Sequence, residues 1–284
     1  MRELRVVWAL VGVTLVAVTV TYARLPAAEL YNVTGTGLRA GLGRALVELN
    51  FPYALVALAV LGVIAPFLAR GLRSVALAAA VLCAVVVVPG VVSQNHLDAR
   101  WINVLPALGV GLALALTPAA RGLVSPRHAR GDRLRIVVAG VLVLVAAPWI
   151  AADVGFFLNG VPVLGWLFQT GAIVSYKGNA PHHAVHHGVH HGLEGLLLVV
   201  TALLLSRLPN RISLFLVLML AYGLANMAND GWLEQIAERG WTSWTVPSSL
   251  EPATTWTWLG VVIATPVIWL LWFKRRPERS VTLS

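Results

Sequence analysis

Charge is scarce in this chain: Asp, Glu, Lys and Arg make up 12% of its 284 residues, while hydrophobic residues make up 58%. Long uncharged runs recur, which excludes a water-soluble globular domain and leaves a polytopic membrane protein. Cys83 is the single cysteine, so an intrachain disulfide is excluded and the redox compartment stays open. With three methionines beside it, sulfur ligands are too few for soft copper(I) chemistry. No continuous basic domain exists either. The arginines sit between hydrophobic runs, so the net charge of +9 speaks to membrane orientation and not to nucleic acid. The glycine-rich stretch 34–51 lacks the strand and the lysine-serine/threonine ending of a phosphate loop.

The apolar runs predict an all-α membrane helix bundle with spans at 6–22, 53–69, 74–92, 102–118, 134–152, 190–206, 212–229 and 256–273. The first run follows Arg2 and Arg5 without a convincing cleavage site, and reads as an uncleaved helix. Placing both termini in the cytoplasm puts 15 of the 21 Lys and Arg residues inside, a bias that supports eight crossings. The apolar segment 154–176 is broken by Asn159, Gly160, Pro162, Gly165 and Gln169 and is expected to be re-entrant or interfacial. Three outer segments follow: an amphipathic loop at 24–52 with a leucine stripe, a segment at 153–192 entering a histidine-rich helix, and a Trp-rich loop at 230–255. The plasma membrane is the expected location.

Polar residues collect on the outer side in this topology, including nine of the twelve acidic residues and seven of the eight histidines. Six histidines lie in 179–194 as three pairs, His182-His183, His186-His187 and His190-His191. Read as a helix starting near Asn179 and Pro181, the repeat puts His183, His187, His190 and Glu194 within a sector of roughly 60°. Ala184, Gly188, Gly192 and Gly195 then form the opposite face, where a neighbouring helix can approach closely. Imidazoles one turn apart are spaced to share a metal ion, and imidazole with carboxylate suits zinc, iron, manganese or copper(II), with zinc or iron the expectation. His96 and Asp98 are candidate completing ligands; Glu194, Asp153 and Asp230 are candidate ligands or acid/base groups at the same depth.

The pattern His-x-x-His-His occurs at 183–187 and again at 187–191, and is similar to a histidine box of membrane fatty-acid desaturases and hydroxylases. Those enzymes spread several boxes along the cytoplasmic side, whereas here the two overlap on the predicted outer side. The expected function is a metal-dependent membrane enzyme acting on a lipid-like substrate, by hydrolysis or oxygen-dependent oxidation. A transition-metal transporter, a metal-handling assembly factor or a sensor is the alternative. A surplus of imidazoles favours that alternative, and the apolar inner halves of the spans weigh against transport.

Overall fold

The computed structural model describes residues 1–25, 35–88, 99–158, 160–168, 170, 173–174, 182–183, 192–237, 239–249 and 252–273. For Asp153, Ile173, Val174, His182 and His183 it describes the backbone alone. Lipid offers no partner to a free amide, so an apolar chain crossing it closes its hydrogen bonds as helix. Most of the described residues are accordingly helical. The helices are α1 (Arg2–Arg24), α2 (Gly37–Ile64), α3 (Arg70–Ala84), α4 (Val104–Leu116), α5 (Asp132–Asp153), the one-turn α6 (Leu164–Leu167), α7 (Gly195–Leu205), α8 (Ser213–Trp232) and α9 (Trp256–Ile268). Tight turns extend α2 through Phe67 and α3 through Val87, and wider turns extend α8 through Ala237 and α9 through Phe273.

Seven of these helices, with their extensions, are long and apolar enough to cross a membrane. At the place of the sixth expected span stands the shorter apolar stretch Gly192–Leu205. Among the described residues of 154–176 only α6 is helical, and one turn is no crossing.

Packing sorts the helices by depth inside the bundle. α2 is the hub, 89% buried over its apolar window and in contact with α1, α3, α4, α7 and α8. α5 and α9 form the perimeter, with 11% and 17% buried. Their exposed leucines, Leu144 at 75% and Leu271 at 82%, are lipid-facing side chains and not defects of a soluble core.

The structure differs from the sequence reading at two places. Residues 37–52 do not stand apart from the following span: α2 runs unbroken through both. Leu38 and Leu42 of the leucine stripe are exposed, while Arg44 and Glu48 are buried as an ion pair at 3.0 Å. The charges turn to each other inside the bundle, and Leu49 of the same stripe is buried with them. The second place is His182–His183, which form a two-residue antiparallel ladder with Ile173–Val174 instead of helix. Among the described residues that follow, helical geometry is present from Gly192. Histidine and valine are mediocre helix formers and each glycine costs about 1 kcal/mol, so a four-residue repeat alone does not secure a helix there.

Close helix crossings fix the bundle. A Cβ on Gly223 of α8 would lie 2.9 Å from the carbonyl oxygen of Gly195 in α7. Between α3 and α4, a Cβ on Gly109 would lie 2.6 Å from Cys83 Sγ and 2.8 Å from the Ala79 carbonyl oxygen. Both contacts put backbone against backbone, as small residues allow in membrane helices.

One end of the bundle is tied by a polar network. Arg207, just past α7, donates from Nε to Asp132 Oδ1 at 3.0 Å and from Nη2 to Asp132 Oδ2 at 3.2 Å. Its Nη1 meets the buried Glu3 of α1, which also accepts from Ser125. The amino terminus donates to Ser125 at 2.7 Å, and Arg135 donates to Ser206 at 3.0 Å while its guanidinium stacks on Trp272. Hydrogen bonding to Asp132 raises the Arg207 pKa above its ordinary value, so this cation stays charged. The network joins the N-terminus, the 120–131 loop and the ends of α5, α7 and α9.

Two substitutions test this architecture. Gly223→Ala is expected to destabilise by about 1–3 kcal/mol by forcing α7 from α8, whereas Gly111→Ala, with open space around it, should be near neutral. Arg207→Met should cost about 1–3 kcal/mol by removing the guanidinium from Glu3, which keeps its bond from Ser125. Thermal and denaturant unfolding in detergent would check both, and wild-type stability in Gly223→Ala or Arg207→Met would refute the corresponding contact.

Candidate functional site

Helix length sets the depth of the polar residues at the other end. Glu194 lies roughly 20 Å along the helix axis from Arg207, and Asp230 roughly 25 Å from Ser213 at the start of α8. A hydrocarbon core is about 30 Å thick. Both carboxylates therefore fall within the apolar thickness, towards the end opposite the arginine network. They avoid lipid by facing inward: Glu194 is 6% exposed and Asp230 2%.

Three elements bring this layer together. α7 begins beside α8, where a Cβ on Gly195 would meet Met227 Cγ at 2.8 Å. Gly192 packs on α5 so closely that a Cβ there would lie 2.8 Å from Trp149 Cβ. These are two of the four small residues expected to admit a neighbouring helix. Trp149 in turn donates its indole N–H to Glu234 Oε2 at 2.6 Å and stands edge-on to Phe168. The chain thus leaves the histidine run at a point wedged between α5 and α8. On the α2 side Glu194 is within electrostatic reach of Tyr53, whose hydroxyl donates to Thr14 at 2.6 Å.

Asparagines complete the layer. Asn50 of α2 and Asn103 exchange hydrogen bonds at 2.9 and 3.1 Å, joining α2 to α4. Asn226 accepts from Ser249, and Asn229 donates to the Pro247 carbonyl at 3.1 Å, so residues 246–249 fold back over the end of α8. Trp232 donates to the Trp244 carbonyl at 3.1 Å, and Trp244 stacks on Trp256. Arg239 donates to the carbonyls of Trp166 at 2.6 Å and Leu167 at 3.3 Å, fastening this loop to α6. The Trp-rich loop is therefore a cover over the end of α8.

Between α8 and α9 this cover overhangs a cavity of about 580 Å³. Its walls are largely apolar, with Leu224, Trp232, Trp244, Trp256 and Ile268 among them, and Asn229 and Thr257 supply polar groups. Asn229 is the immediate neighbour of Asp230.

Of the residues singled out from sequence, Glu194 and Asp230 are buried on packed helices at this end, and Asp153 is the last residue of α5. His182 and His183 lie in the two-residue ladder. His96, Asp98, His186, His187, His190 and His191 lie outside the described residues. Among the described residues no group of three His, Cys, Asp or Glu side chains is arranged to hold a metal ion.

Sequence reading missed the buried Arg44–Glu48 pair with Tyr22 against it, the Tyr53–Thr14 bond and the Trp149–Glu234 bond. Arg44 and Glu48 stand four apart, a signal that becomes readable once 37–64 is taken as one helix. Trp149 carried no such signal. No protein-family model, curated protein or solved structure matches this chain.

Removing the indole donor tests the layer's rigidity. Trp149→Phe is expected to cost about 1–3 kcal/mol by leaving a Glu234 oxygen without its N–H in a dry setting. An unchanged unfolding midpoint in detergent would show that this bond holds nothing.

Proposed function

We propose that the protein is an eight-crossing integral membrane protein with both termini in the cytoplasm. Its histidines at 182–191 hold a transition-metal ion, zinc or iron, on the extracytoplasmic side of the plasma membrane. The observation that carries this reading is the placement of Glu194. A carboxylate buried at membrane depth directly after six closely spaced histidines joins the two ligand types that a transition-metal site uses. Imidazoles would supply the metal's ligands, and Glu194 would orient a ligand or accept a proton. His96 and Asp98 would complete the ligand set, with Asp153 and Asp230 as acid/base groups.

The activity we propose is metal-dependent catalysis on a lipid-like or membrane-soluble substrate, by hydrolysis or oxygen-dependent oxidation. A bound metal would activate water or, if iron, oxygen. The cavity of about 580 Å³ beside Asn229 supports an apolar substrate, since it opens along the bundle's flank and carries its polar groups on the two helices that form it. A metal-handling role is the second reading, favoured by the number of imidazoles. Transport is less supported: among the described residues no carboxylate, imidazole or guanidinium lies between the arginine network and the outer polar layer.

Elemental analysis of detergent-purified protein tests the site. Wild type is expected to carry stoichiometric zinc or iron, and His187→Ala, His190→Ala and Glu194→Gln to lose most of it while still folding. A folded wild-type protein that neither contains nor takes up metal would overturn the proposal.

A further inference from the structure

The end of the bundle opposite the candidate site carries its own recognition chemistry. Among the described residues only two carboxylates stand at this end, Glu3 and Asp132, and both are turned onto Arg207. Glu3 is 2% exposed, so its charge is withheld from the surface. What remains outward is cationic. Arg121, Arg127, Arg130 and Arg133 are exposed on and beside the 120–131 loop. Arg2 and Arg5 are brought beside them by the amino terminus donating to Ser125, and Arg70 and Arg73 by the Arg121 N–H donating to the Phe67 carbonyl at 3.1 Å.

A second feature fixes the depth of this face. Trp8 donates to Thr117 at 2.9 Å, Trp269 donates to Ser213 at 2.9 Å, and Trp272 lies under Arg135. Tryptophans with one polar contact and an apolar body settle at the boundary between hydrocarbon and headgroups. The arginines stand on a short loop and on helix ends at that level, where phosphates of the leaflet lie, and do not project into water as a nucleic-acid-binding arm would.

We infer that this arginine face binds the headgroups of anionic phospholipids, with the 120–131 loop as its centre. The Glu3–Arg207–Asp132 network serves the binding by hiding the local negative charge and by holding the loop flat against the bundle. Each surface arginine adds a near-equal electrostatic increment, and the attraction is screened by salt. The inference stands apart from the metal site and survives its failure.

The test uses full-length protein in bilayer nanodiscs of phosphatidylcholine doped with phosphatidylglycerol, with the lipids that stay bound after extraction counted by native mass spectrometry. Wild type is expected to retain phosphatidylglycerol at least about tenfold over its share of the bilayer, and to lose that preference at high salt. The triple substitution Arg127→Gln, Arg130→Gln and Arg133→Gln should cut the preference by about tenfold or more, while the same three positions changed to Lys should keep most of it. Should charge removal spoil insertion, the salt series on wild type decides alone. A wild type with no preference, or one whose preference persists in high salt, overturns the inference. So would inorganic phosphate or an oligonucleotide that displaces the lipid at equal concentration, since that would point to a soluble ligand.

Discussion

A bilayer interior supplies no water to an ionised side chain, and the architecture of this protein follows from how it meets that constraint. Five described acidic residues are buried: Glu3, Glu48, Glu194, Asp230 and Glu234. Glu3 is held by Arg207, Glu48 by Arg44, and Glu234 accepts from Trp149. The Arg44–Glu48 pair lies within α2, and the other two choose which helices are neighbours. Glu3 draws α1 to the turn after α7, and Glu234 draws the end of α8 to α5. The apolar side chains fill the space between, and glycines at Gly195, Gly223 and Gly109 set how closely the backbones approach.

The two ends answer the constraint differently. At the arginine end, opposite charges meet in a mesh close to the headgroups, where partial hydration keeps ion pairs inexpensive. At the other end the polar groups sit deeper, with Glu194 roughly 20 Å along the helix axis from Arg207 and so within the apolar thickness. The histidine run feeds into that point, and the cover of residues 239–249 lies over the neighbouring helix.

Much of the fold was legible from hydropathy alone, because a run of apolar residues admits one backbone solution in lipid. The two polar ends were readable as well: the positions of Arg121 to Arg135 and of Asp230 followed from counting charges between runs. The continuity of residues 37–52 with the span that follows was not legible, because a stripe at Leu38, Leu42, Leu46 and Leu49 fits an interfacial segment and the start of a crossing alike. His182-His183 shows a similar ambiguity, since pairs of one residue type every four positions do not distinguish a helical face from a strand when the local propensities are weak. Trp149 and Tyr53 were invisible for another reason. Their partners, Glu234 and Thr14, are remote in sequence, and only packing brings them together.

Cys83 has a use that its burial creates. It is the only thiol in the chain, it is fully buried, and its sulfur fills the gap where α3 meets Gly109 of α4. A membrane-permeant thiol reagent can reach it only when those two helices part. The rate of its modification therefore times the local opening of one helix pair inside an otherwise intact bundle. The protein carries a built-in clock for the looseness of its α3–α4 pair, read without adding a label.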